Sequence, residues 1–236
     1  MAEVLHTPLF GLILTLASYR LAWLLYERAG RSPLLHPFLV AMVPVVVTLL
    51  WLDIPYAEYM EQTALLQFLL GPATVALAWP LYRQLSHVQK IWKPLLIYIA
   101  VGAPLAAGVA IAGAALFAAP ADVLGSIAPK SITTPIALEV VKLTGGYGAL
   151  AAGAIAITGI VGAMAAPLVF RLLAVTDDRI RGLALGLVAH AIGTARAFEY
   201  SEKAGAFSSL ALGLTGLVTA FMLPWLWPWL MALLGH

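Results

Sequence analysis

Long apolar runs, most of them free of any charge, constrain this chain more than any other feature. A membrane helix needs roughly 20 mostly apolar residues. Six stretches meet that need: Pro8–Tyr26, Leu34–Leu52, Thr63–Tyr82, Pro94–Ala119, Tyr147–Phe170 and Ala204–Leu234. All but the first, which holds Arg20, lack Asp, Glu, Lys and Arg. Only 10% of residues are charged and 62% are hydrophobic, whereas a soluble domain carries roughly 25% charge. Thirteen basic and eleven acidic residues among 236 cannot supply a solvated shell, and the mean hydropathy of +0.96 agrees. The sequence predicts an all-α polytopic membrane protein with about 6–8 membrane segments, forming a single domain over 1–236. It excludes a soluble enzyme, a DNA-binding module and a disordered tail.

Other classes fall to composition. Absence of cysteine removes disulfides, thiol chemistry and Cys-based metal sites. The five His residues are scattered without paired carboxylates, so neither a metal nor a cofactor is expected. A net charge of +2 implies no nucleic-acid partner. Glu3 and His6 precede an apolar run that continues to Tyr26 without a small-residue cleavage site, so the first span reads as retained.

Basic residues in short loops mark the cytoplasmic side. Arg28 and Arg31 follow the first span, and Arg83, Lys90 and Lys93 follow the third. The loop between spans two and three carries Asp53, Glu58 and Glu61 with no Lys or Arg, which places the N-terminus outside. Arg171, Arg179 and Arg181 form a further basic cluster. It lands in the cytoplasm if Asp122–Lys142 enters and leaves on one side; a full crossing would put it outside. The re-entrant reading is adopted. It gives the halves 34–119 and 147–234 opposite orientations, the inverted-repeat pattern of secondary transporters.

Three stretches resist simple helices, and broken helices in lipid occur only where protein or a water-filled cavity surrounds them. Gly71-Pro72 lies inside the third span, with a packing kink as the plain alternative. Pro129-Lys130-Ser131-Ile132-Thr133-Thr134-Pro135 brackets a lysine and three hydroxyls with two prolines. His190-Ala191-Ile192-Gly193-Thr194-Ala195-Arg196 sets an imidazole, a hydroxyl and a guanidinium in an apolar stretch. Each proline removes a donor, and a helix restarting after a break offers unpaired N–H groups and a positive dipole end to an anion. Ionisable groups at membrane depth are expensive and mark function or a paired charge. For Arg196 the alternatives are snorkelling or a helical pair with Glu199 or Glu202; for His190, a packing hydrogen bond. Gly102, Gly108, Gly113, Gly153, Gly159 and Gly162 read as close-packing positions. Trp225, Trp227 and Trp229 read as an interfacial anchor.

Several motifs carry a family resemblance. Pro129-Lys130-Ser131-Ile132-Thr133-Thr134-Pro135-Ile136-Ala137 resembles the PKSVTTPIA signature of LrgB/CidB membrane proteins. Arg181–Gly186 with His190–Ala197 resembles the family's second signature, and Gly205–Ala211 its third. The likeness extends upstream to Leu69, Gly71–Ala78 and Pro80–Gln84. Where the family often has Asn-Gly, this chain has Thr215-Gly216. The resemblance implies a B-type partner of a smaller holin-like LrgA/CidA membrane subunit, in a family named for modulating murein hydrolases and autolysis. It also implies small monocarboxylates as substrates, since relatives are implicated in pyruvate uptake and the plastid member exchanges glycolate and glycerate.

The expectation is a transporter of the bacterial cytoplasmic membrane, not an enzyme, working by alternating access and, by analogy with two-repeat transporters, as a homodimer. Its substrate-binding set is Lys130, Ser131, Thr133, Thr134, His190, Gly193, Thr194 and Arg196, with breaks at Gly71, Pro72, Pro129 and Pro135. The alternative is a pore-forming or regulatory component controlling murein hydrolases. No span shows the continuous polar stripe that a pore requires.

Overall fold

In a computed structural model, residues 5–31, 35–76, 78–83 and 85–235 are described. Leu34, which opens the second candidate span, and Leu77 and Gln84 of the upstream motif lie outside them. The chain forms two compact units, Met1–Ala76 and Leu77–His236.

The first unit holds α1 (Pro8–Arg28), α2 (Pro37–Trp51), α3 (Tyr56–Gln62) and α4 (Ala64–Ala76). α1 starts on proline, whose missing N–H is harmless in a first turn. Pro72 lies inside α4, so the helix runs through Gly71-Pro72 instead of breaking there. The described residues of the candidate span Thr63–Tyr82 lie in α4 and in α5 (Ala78–Arg83).

The second unit continues with α6 (Leu85–Lys90), α7 (Trp92–Ala115), α8 (Ala121–Ile127), α9 (Thr134–Thr144), α10 (Gly148–Leu172), α11 (Asp178–Tyr200) and α12 (Glu202–Leu234). Among the described residues α1, α7, α10 and α12 are long and apolar enough to cross a membrane, and α2 with α3, bent by 119°, would add a fifth if the bent pair is one span. This count does not reach the six to eight segments expected. The long helices bury stripes spaced four apart: Leu95, Ile99, Ala103, Ala107 and Ile111 on α7, and Ala151, Ile155, Gly159, Ala163 and Ala166 on α10. Their opposite faces expose Leu105, Val109, Ile157 and Val161, each more than half accessible. Large apolar side chains outside and small ones inside suit a lipid solvent, and the chain is a multi-pass membrane protein.

α8 and α9 form a hairpin. Thr144 Oγ1 donates to Gly125 O at 3.1 Å, Tyr147 N to Ser126 Oγ at 2.7 Å, and Tyr147 OH to Asp122 Oδ2 at 2.6 Å. The end of α9 therefore returns to the start of α8, and Gly145 in the left-handed region (φ 72°) ends α9. Within this unit the expected doubling back of 122–142 is the observed path.

α11 also doubles back. At His190 the backbone takes φ 41° and ψ −130°, splitting the helix into two arms, 178–189 and 191–200. A Cβ on Gly193 would come within 2.5 Å of Leu185 O, although eight residues of straight helix would separate them by about 12 Å. Gly182 lies against Ala204 O and Gly186 against Ser208 O, so the first arm runs parallel to α12. Thr194 bonds Ser208 and the Phe198 ring covers Gly205, so the second arm runs antiparallel to it.

Gly102, Gly159 and Gly162 are the close contacts expected of them, whereas Gly108, Gly113 and Gly153 have open space where a Cβ would stand. Of the tryptophan cluster, Trp225 and Trp229 are exposed while Trp227 is buried in the core. Replacing Gly186 by Ala drives a methyl into the Ser208 carbonyl and is expected to cost about 1–3 kcal/mol, read as a lower melting temperature in detergent. Gly153→Ala, facing open space, is expected to leave that temperature unchanged or raise it.

Candidate functional site

Both hairpins of the second unit are tied to α10, the first through a shared apolar core and the second through a hydrogen bond. The first tip, 128–133, joins the core through Ala128 and Ile132, which cluster with Ala137, Val140 and the side chain of Ile155. The second tip is His190, whose Nε2 lies 2.9 Å from Ile155 O. Ile155 thus shares the apolar core of the first tip, and its carbonyl meets the imidazole at the second. A carbonyl only accepts, so His190 Nε2 carries a proton, and in the neutral ring Nδ1 is the acceptor. Gly159, one turn on, leaves room for the imidazole: a Cβ there would stand 2.6 Å from its Cε1.

The first tip supplies most of the predicted donors. Pro129 is fully buried and Ser131 is 5% exposed. Lys130, half-buried, holds its Nζ 3.5 Å from Ser131 Oγ, a long contact that leaves its other donors for a further partner. Thr133 is the N-cap of α9 but makes no capping bond with its side chain, and Pro135 sits in the first turn. The N–H groups of that turn have no intrahelical partner, and they face the tip. Breaks at Pro129 and Pro135 are therefore observed, unlike the one expected at Gly71-Pro72, which belongs to the other unit.

The second tip contributes His190 and Thr194. Thr194 Oγ1 donates to His190 O at 2.9 Å and meets Ser208 Oγ at 2.9 Å, tying the second arm to α12. Gly193 is a position at which the two arms come close, beside the Leu185 carbonyl. Arg196 stands six residues from the tip, roughly 9 Å along the arm. It pairs with Glu199 and lies 5.5 Å over the Tyr200 ring, whose other neighbours are Arg181 at 5.4 Å and Phe170. This groups Arg196 with the base of the hairpin, as the ion-pair alternative held.

The base carries the basic cluster. A cavity of about 440 Å³ is lined by Ile91, Pro94 and Tyr98 together with Asp177 and Arg179, and Arg83 Nη1 bonds Glu202 Oε1 at 2.7 Å. The basic groups after α5 and after α10 therefore share one side of this unit, as the charge rule requires. Asp177 caps α11 by accepting from Arg179 N at 2.8 Å. The Arg179 side chain bonded to it holds its carboxyl down at about 2. At the opposite side the Tyr147 hydroxyl lowers the Asp122 carboxyl.

Sequence reasoning did not single out the Ile155 carbonyl. A backbone acceptor carries no residue signature, and the only trace is the small Gly159 one turn beyond it in a four-spaced stripe.

Comparison with known proteins bears on this arrangement. The model of the LrgB-like family matches residues 15–229. An uncharacterised protein, YxaC, of Bacillus subtilis is 35% identical over 213 residues, 90% of this chain and 92% of its own length. An uncharacterised Haemophilus influenzae protein is 33% identical over 89% of this chain and 91% of its own. The antiholin-like protein LrgB of Bacillus mycoides is 31% identical over 95% and 97%. No solved structure matches.

A folded pKa of about 2 for Asp177 lies below the unfolded value of about 3.9. The stability its Arg179 pair contributes is complete above about pH 4 and lost as pH falls towards 2. The melting temperatures of the parent and of Asp177→Ala should differ by a constant amount from pH 5 to 8 and converge below pH 4.

Proposed function

Taking as premise that the chain belongs to the LrgB-like family, we propose that it is a transporter of small monocarboxylates in the bacterial cytoplasmic membrane, working by alternating access. The observation that carries this reading is a pair of broken-helix tips tied to α10, one bearing Lys130 in a turn whose Ala128 and Ile132 share a core with Ile155, the other bearing His190 bonded to the Ile155 carbonyl. A localised site of this kind at a helix break matches the way secondary transporters hold charged substrates, and it lacks the continuous polar lining of a pore.

Lys130 and the uncapped first turn of α9 attract the carboxylate, while Ser131, Thr133 and Thr134 supply hydroxyl donors. His190, through Nδ1, accepts a substrate hydroxyl or carries a coupled proton. Arg196 serves as a brace at the base. His190 and Ser131 are buried, so the tips close on one another and entry requires a hairpin to move against α10 and α12. We read the span-plus-hairpin units 92–144 and 148–200 as the inverted pair, in place of halves at 34–119 and 147–234.

A second reading is favoured by the antiholin-like name of the Bacillus mycoides relative: a component regulating murein hydrolases beside a holin-like LrgA/CidA subunit. Electrical recording separates the two, because a large, weakly selective conductance from the purified chain supports a pore-type role.

Proteoliposomes bearing the chain should take up radiolabelled pyruvate or glycolate, and Lys130→Gln should weaken that uptake by roughly tenfold or more, the loss of one charge-assisted contact. Arg196→Lys should change uptake little. Transport undiminished in Lys130→Gln would remove Lys130 from the site.

A further inference from the structure

One buried oxygen near the two tips is left without a partner. Thr215 is 1% exposed, and its Oγ1 makes no hydrogen bond. Hydroxyls in apolar helices ordinarily satisfy themselves on the carbonyl one turn back. Thr15, Thr63, Thr194 and Ser209 all do so here, donating to Gly11 O, Tyr59 O, His190 O and Gly205 O. Thr215 does not. An unmade bond on a buried hydroxyl is expensive, so the group waits for something that is not protein.

Its position follows from the helix pairings. Ser208 meets Thr194, and the second arm of α11 climbs from Thr194 to the tip at His190 while α12 climbs beside it. Four residues of that arm are about 6 Å, and Ser208 to Thr215 is about 10 Å along α12, which sets Thr215 just beyond the second tip. The next residue, Gly216, is where the first hairpin arrives: a Cβ there would lie 3.0 Å from Ile136 Cδ1. Ile136 directly follows Pro135 at the start of α9. Thr215 is thus held on α12 between the level of His190 and the level of the α9 N-terminus.

We infer that Thr215 Oγ1 is a specificity-determining contact of this site, bonding a hydroxyl or oxo group carried next to the carboxylate of the ligand. The inference rests on the carboxylate reading above and narrows it. Lys130 and the α9 N-terminus suit the carboxylate of any small acid, whereas an unpaired neutral hydroxyl recognises a second, uncharged polar group. Acids bearing that group bind with one more hydrogen bond than those lacking it.

The test compares glycolate with acetate, which differ by that hydroxyl, on purified protein in detergent by calorimetric titration. The parent should bind glycolate more tightly than acetate. Thr215→Val, the same shape without the oxygen, should bind glycolate about tenfold more weakly and acetate as the parent does, and Thr215→Ser should restore the preference. The ligand-free Thr215→Val protein should melt at or above the parent temperature, since an unsatisfied hydroxyl is lost, whereas a structural role would lower it. Glycolate binding unchanged in Thr215→Val, or both acids weakened equally, overturns the assignment of Thr215 alone. A parent that binds neither acid overturns the carboxylate reading with it.

Discussion

A helix in lipid can be interrupted only where the freed backbone groups find protein, and the second unit is organised around meeting that condition at His190. A non-glycine residue at φ 41° is strained, by about 1–3 kcal/mol. The strain is held in place by the imidazole bonding Ile155 O, by the room Gly159 leaves for the ring, and by the return of Gly193 onto the Leu185 carbonyl. The packing of both arms against α12 adds to these holds.

The two hairpins reach the same place by different chemistry. The first uses prolines at 129 and 135, which remove donors that a continuous helix would need, and a turn between them that carries the half-buried Lys130. The second uses one strained residue and close glycine packing against α12. Around the base of the second, Tyr200 lies against Phe170 and under the guanidinium groups of Arg181 and Arg196.

Much of the fold was legible because the bilayer imposes a simple rule on composition. The uncharged runs located α7, α10 and α12, and the basic clusters after α5 and after α10 predicted that 122–142 turns back, since only that path puts both on one side. The prolines at 129 and 135 announced their break. Pro72 did not break its helix, because a helix tolerates an interior proline where its neighbours absorb the kink. Of the candidate site residues, His190 and Thr194 meet at the second tip, whereas Arg196, which looked equivalent in sequence, pairs with Glu199 over the Tyr200 ring. Sequence distance from the break could not decide that, since the pairing depends on which way the second arm descends.

By itself the sequence determined that this is a many-helix membrane protein, where its spans and interruptions fall, and which polar residues are too costly to be idle, because hydrophobic transfer and charge burial act on each residue alone. The tertiary structure decided which interruptions become hairpins, that His190 bonds the Ile155 carbonyl, and that Thr215 is buried with its hydroxyl unbonded while Arg196 pairs with Glu199. Those outcomes depend on helix direction and on close approach at glycines, contacts between residues far apart along the chain that no local pattern records.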